Sequence, residues 1–223
     1  PPAAARPASA VAAAPSASAA TATFDWPPST RLSYALNGYY RGPVVGSAQV
    51  EWLRQGDRYQ VRMGTSIGPV LSRNIVSEGV LRAARRGQVR FGPERVVLVD
   101  GSEVPSLPGV QDEASQFVQL TWLFTTQPQR LRVGQSIEVP LIVSRRLNRW
   151  IYDVVEEEVL NFPFGAVPTF HVKPRREAGG GDLTAEMWIA PTLQYLPVRI
   201  LIRQNAESSA DLTLERAPEQ AAR

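Results

Sequence analysis

Residues Leu183 to Ile202 read LTAEMWIAPTLQYLPVRILI, and no other stretch limits the possible folds so sharply. Leu183, Ala185, Met187 and Ile189 share one side of the first arm, with Thr184 and Glu186 on the other. After a Pro-bounded turn, Leu196, Val198, Ile200 and Ile202 share a side opposite Tyr195, Arg199 and Arg203. Successive side chains of a strand point to opposite faces, so this period of two marks strands with one buried and one wet face. The segment predicts a hairpin. Met187 continues the apolar side, which leaves Trp188 on the outer or rim surface.

The same alternation recurs from Phe24 onward. Leu32, Tyr34 and Leu36 define a first strand that breaks at Asn37-Gly38. Ala48, Val50 and Trp52 define a second, and Tyr59, Val61 and Met63 a third, with Gln55-Gly56-Asp57 as the short loop between them. Further strands are expected over 71–77, 79–84, 88–91, 95–99, 136–144, 149–160, 167–173 and 210–214. About eleven or twelve strands on short loops predict a meandering antiparallel sheet large enough to curl.

One segment departs from this pattern. In DEASQFVQLTWLF, Asp112 to Phe124, the residues Ala114, Phe117, Val118, Thr121 and Phe124 fall at helical spacing. Asp112 suits the N-cap, and Glu113 suits the positive end of the helix dipole. Leu120, Trp122 and Leu123 extend the apolar surface nearly round the C-terminal half, so the helix must be covered on most sides. It is expected to lie across the concave face of the sheet.

Composition sets the outer limits. Of 223 residues, Pro1 to Thr23 are Ala, Pro, Ser and Thr apart from Val11 and Arg6, the one charge, too few apolar groups for a packed unit. Residues 1–23 are therefore expected to be a disordered tether, 24–216 a single β-rich domain, and 217–223 a flexible tail. No run approaches the roughly 18 apolar residues of a membrane-spanning helix. Cysteine is absent, which excludes disulfides and thiol chemistry. Lys173 is the only lysine among 24 basic residues, and the net charge is +3. Such an arginine bias fits a GC-rich genome, or a surface that grips phosphate or carboxylate.

Candidate chemistry is sparse. His171 is the only histidine and cannot supply a multi-His metal site. Ser115, His171 and Asp112 could be written as a triad, but no nucleophile-elbow motif accompanies them. Glu156 and Glu158 alternate in phase with Trp150 and Tyr152, which places all four on one side of a long strand. Paired carboxylates beside aromatics can serve glycoside hydrolysis, although a solvated face is the commoner use. The arginines group as Arg82, Arg85, Arg86, Arg90 and Arg95, then Arg145, Arg146 and Arg149, then Arg175 and Arg176. They form a basic face or are neutralised by neighbouring carboxylates, and no nucleic-acid motif accompanies them. The run Gly179-Gly180-Gly181-Asp182 is a hairpin loop, with no GK[ST] to make it a phosphate cradle. Tyr39 and Tyr40, between Gly38 and Gly42, line a groove mouth or staple the first two strands.

Four pieces together resemble a known family: the GYYRGPVVG turn, GVQDEASQFVQLTWLF, the WIYDV strand and the AEMWIAPTLQYLPVRI hairpin. It is domain-of-unknown-function family 3108, from the cell envelope of Gram-negative bacteria, and the resemblance spans about Trp26 to Arg216. It implies a large, curved, partly closed antiparallel sheet with a helix, similar to the half-barrels of periplasmic lipoprotein carriers. It implies no activity, no catalytic residue and no cofactor. The Pro/Ala arm resembles that of members with an upstream membrane anchor, which implies a domain held in the periplasm at the inner membrane.

The expected fold is mainly β, a large curved antiparallel sheet forming a partly closed barrel with one α-helix packed on the concave face. The expected function is that of a non-enzymatic envelope protein binding a lipid, lipoprotein or other apolar component. The rival is a scaffold with a side-chain-filled core, and an envelope glycan hydrolase stands third. Trp122, Phe124, Trp150, Tyr152 and Met187, with Tyr39 and Tyr40, are the candidate ligand-binding residues; no metal, cofactor or nucleic acid is expected. Met and aromatic side chains adapt to acyl chains. A lined cavity of several hundred cubic ångströms would support the carrier, and a packed interior the scaffold.

Overall fold

Period-two alternation builds fifteen strands among the described residues, and the order in which they pair brings the first and last of these strands together. The structure, a computed structural model, describes residues 28–55, 58–67, 71–80, 90–91, 95–97, 103–105, 110–112, 115–143, 146–175, 183–205 and 207–221. The expected tether, the Gly179–Asp182 loop and Arg82, Arg85, Arg86, Arg145 and Arg176 lie outside them.

The first four strands are β1 (Thr30–Tyr40), β2 (Pro43–Gln55), β3 (Arg58–Ile67) and β4 (Leu71–Val80). Three short strands follow, β5 (Arg90–Phe91), β6 (Arg95–Val97) and β7 (Glu103–Pro105), and they form a small sheet of their own. Then come β8 (Gln111–Asp112), the helix α1 (Ser115–Thr126), β9 (Ser136–Val143), β10 (Arg146–Phe162) and β11 (Gly165–Pro174). The opening hairpin is β12 (Thr184–Ala190) and β13 (Leu196–Asn205), followed by β14 (Ser208–Leu214) and β15 (Glu219–Gln220). The main sheet runs β4-β3-β2-β1-β14-β13-β12-β11-β10-β9-β8, with β15 also on β1. Every neighbour is antiparallel except β8, which lies parallel to β9. The sheet is not closed, since β4 and β8 are its edges.

The sheet nevertheless curls around the helix. Gln116 of α1 accepts a 2.6 Å hydrogen bond from the Tyr152 hydroxyl on β10. The next residue, Phe117, shares a cavity with Val61 and Met63 of β3. Strands β3 and β10 stand seven places apart in the sheet. At about 4.8 Å per place a flat sheet would put them roughly 34 Å apart, nearly twice the ~18 Å length of a twelve-residue helix. Only a curved sheet lets adjacent helix residues meet both. The core cluster accordingly joins Leu32, Tyr34 and Leu36 of β1 with Leu120 and Phe124 of α1, and with Trp150 and Tyr152 of β10.

Several local expectations are corrected. Asn37-Gly38 does not break β1, which pairs with β2 and β14 through both residues. The turn comes at Arg41 and Gly42, whose φ angles are 55° and 150°. Gly38 is required for a different reason, because a Cβ there would lie 2.4 Å from the Ser209 carbonyl oxygen. Asp112 is a strand residue and does not stand at the position just before the helix. It pairs in β8 beside Ile142, and α1 begins at Ser115 and runs on to Thr126. The tail expected to be flexible carries β15, whose Glu219 and Gln220 pair with Arg31 and Thr30.

The outer face also differs from expectation. In the pairing of β10 with β11 the register shifts between Val154 and Glu156. This one-residue bulge puts Trp150, Tyr152 and Val154 in the core but turns Glu156 and Glu158 to the opposite face, beside His171. Trp188 does lie opposite Met187, yet it is only 5% exposed. His171 stacks on its ring at 4.2 Å, and the Arg199 guanidinium covers it at 4.4 Å from the ring centroid. Strand β12 is therefore buried on both faces, and His171 is not a bare surface histidine.

Candidate functional site

Helix α1 is held by its own side chains. Leu120 and Phe124, one turn apart, enter the core, while the Thr121 hydroxyl donates to the Tyr195 carbonyl at 3.2 Å. Gln116 receives Tyr152, as described. These contacts tie the helix to β10 and to the β12–β13 turn. On the side toward β2 and β3, α1 does not pack flush.

The gap is a half-open apolar groove with a cavity of about 70 Å³. Trp52, Val61 and Met63 form its sheet wall, and Phe117, Val118 and Trp122 form its helix wall. Leu196 and Ile200 of β13 line it as well, and Thr30, Leu32 and Tyr34 bring in the start of β1. The Tyr34 hydroxyl is spent on the Pro197 carbonyl at 2.8 Å. Chemically the groove can offer dispersion contacts and apolar burial, and nothing in it is arranged for acid–base work. Pockets for drug-sized molecules occupy roughly 300–1,000 Å³. This one has room for an apolar side chain or the end of an acyl chain.

The candidate residues fall into three groups. Trp122 lines the groove. Phe124, Trp150, Tyr152 and Met187 are in the filled core, each no more than 2% exposed. Tyr39 and Tyr40 are half exposed at the opposite end of β1, some nine residues or about 30 Å from Thr30. Trp52, Val61, Met63 and Phe117 were legible as apolar positions but not as a groove. Only curvature brings β3 to the helix, and no periodicity encodes it.

The serine triad does not assemble. Ser115 is buried at the start of α1 on the concave side, whereas His171 faces outward from β11, so the two cannot form a triad. Three of the grouped arginines are paired with carboxylates: Arg95 with Glu103 at 2.8 Å, Arg149 with Glu138 at 2.9 Å and Arg175 with Asp153 at 2.6 Å. The Arg175 hydrogen bond, reinforced by Ser136, holds the Asp153 carboxyl below its ordinary range. Among the described residues no helix is long and apolar enough to cross a membrane.

Residues 33–215 match the family model described as "Protein of unknown function (DUF3108)". The chain belongs to this family. Members are therefore expected to share the curled sheet and its helix, since the match runs from β1 through β14. Among solved structures, the chain is similar to a β-barrel-like protein of the domain-of-unknown-function family DUF1849 from Brucella abortus. The TM-score is 0.49 at 11% identity, over 88% of this chain and 99% of that one. It is also similar to a candidate lipoprotein from Parabacteroides distasonis, with a TM-score of 0.32 at 16% identity, over 86% and 96% of the two chains. No curated protein matches the chain.

Proposed function

We propose that this DUF3108 domain is a non-catalytic binding module of the periplasm that seats one apolar chain between α1 and β1–β3. The chain would be an acyl tail of a lipid or lipoprotein. The observation that carries this reading is the half-open groove, whose walls are almost wholly apolar and which adjoins a core of buried side chains. Burying apolar surface yields roughly 25 cal/mol per Å², so even a short methylene segment seated there contributes measurable affinity. The periplasmic setting rests on the family resemblance and on the Pro/Ala composition of residues 1–23.

The filled core supports a second reading. A cavity of about 70 Å³ is well short of the several hundred that a carrier enclosing its whole ligand needs. A scaffold whose groove takes an apolar side chain of a partner protein fits the same dimensions.

Displacement of a fluorescent fatty acid separates the two. Saturable binding with a dissociation constant of tens of micromolar, about 6–7 kcal/mol, is expected of the carrier. Val118→Trp, which fills the groove from a half-buried helix position, should weaken it at least tenfold while leaving the circular dichroism spectrum unchanged. Absence of saturable binding would remove the carrier reading and leave the scaffold.

A further inference from the structure

We infer that the outer face of the sheet carries a divalent transition-metal site, of the zinc class, formed by Glu156, Glu158 and His171. It is independent of the groove, which lies on the concave side. One ligand atom from each of the three residues falls within 4.8 Å of the others. A lone histidine cannot make a multi-His site, but one imidazole with two carboxylates is a donor set that zinc accepts, with a fourth position left for water. The bulge between Val154 and Glu156 creates the grouping. Without the extra residue, both glutamates would have followed Trp150 and Tyr152 into the core face.

The surroundings orient the donors. His171 Nε2 lies 2.9 Å from Glu186 Oε2, and Glu186 is itself buried and bonded to Arg203. A carboxylate that accepts the Nε2–H leaves the ring lone pair on Nδ1, so Nδ1 is the nitrogen free to ligate. The stack on Trp188, at 4.2 Å and 8° between planes, fixes the ring orientation. The same indole donates its Nε1–H to Glu158 Oε1 at 2.5 Å, which orients that carboxylate and leaves its second oxygen for the ion. Glu156 is exposed on its strand and can swing to close the remaining distance. In zinc sites, Zn–O and Zn–N bonds are about 2.0–2.2 Å, so the donors need only move modestly toward one another.

The charges nearby favour a cation. Glu156, Glu158, Glu186 and Asp211 face Arg199, Arg203 and the exposed Lys173 on the same side of the sheet. Arg199 is bound by Asp211 through two hydrogen bonds of 2.9 and 2.5 Å, and Arg203 reaches Glu186. A divalent ion between Glu156 and Glu158 offsets the remaining carboxylate charge.

Because His171 is the only histidine, its ring gives one set of imidazole signals in the nuclear magnetic resonance spectrum of the full chain. Zinc added to metal-free protein should shift the Nδ1 resonance, saturating at one equivalent. In competition with a chromophoric chelator, Glu156→Gln should weaken zinc binding at least tenfold and His171→Ala should abolish it. Unchanged His171 signals at saturating zinc, or equal affinity in wild type and Glu156→Gln, would overturn the site. The spectrum of the wild-type chain decides even where a variant fails to fold.

Discussion

Tyr34 shows how one side chain can serve both core and hairpin. Its ring is fully buried on β1, and its hydroxyl reaches across to Pro197 of β13. Burial pushes the phenol well above its ordinary range, and the same holds for Tyr152, which donates to Gln116. A raised phenol pKa means that the folded state holds its proton more tightly than the unfolded chain does. The resulting stability is fully present below pH ~10 and is lost as the pH climbs above it. In an alkaline titration followed at 295 nm, at least two of the six tyrosines should fail to ionise until the fold opens. Tyr34→Phe leaves the buried Pro197 carbonyl short of a donor and should cost about 1–2 kcal/mol in urea denaturation. The buried place of Tyr34 was readable from its alternation with Leu32 and Leu36. Its partner was not, because a contact 163 residues away leaves no local pattern.

At the scale of elements, helix and strands were legible, while the features that aim side chains were not. The β10 bulge depends on how β10 registers against β11, so the run Trp150 to Glu158 looks like an unbroken alternation until its partner is known. The helix start was misplaced for a related reason. Gln111 and Asp112 are taken by β9 as a parallel partner, and that pairing moves the helix start on to Ser115. Helix α1 presents Phe124 to the core and Phe117 to the groove. Phe124→Ala should therefore destabilise by about 3–5 kcal/mol, as buried Phe truncations do, and Phe117→Ala by clearly less. Equal effects in thermal melts would mean that the groove wall is as tightly packed as the core. Between β2 and β3 the backbones approach so closely at Gly46 that an added Cβ would lie 2.0 Å from the Ser66 carbonyl oxygen. Gly46→Ala should cost roughly 1–3 kcal/mol, measured as a lower denaturation midpoint with unchanged slope.

The main sheet is joined at β1. Strand β1 pairs with β14 and β15 as well as β2, which links the first and last strands among the described residues across one sheet. Gln220 exchanges side-chain hydrogen bonds of 2.9 and 3.1 Å with Gln194 in the β12–β13 turn, and also reaches Thr30. That turn has Gln194 and Tyr195 both near φ 58°, an unfavourable backbone region for side-chain-bearing residues, so the clasp holds a strained corner. Removing residues 217–223 should lower the melting temperature by several degrees. Removing residues 1–23 should leave it unchanged, given a composition with little to bury. The curl that makes the groove belongs to this scale alone, since it follows from strand order and not from any single run of residues.

Native mass spectrometry of protein purified from its own host tests the groove most directly. Wild-type chain is expected to carry one apolar molecule, released on denaturation, and Val118→Trp is expected to arrive bare. The same adduct on both proteins, or none on either, would contradict a groove that holds an apolar chain.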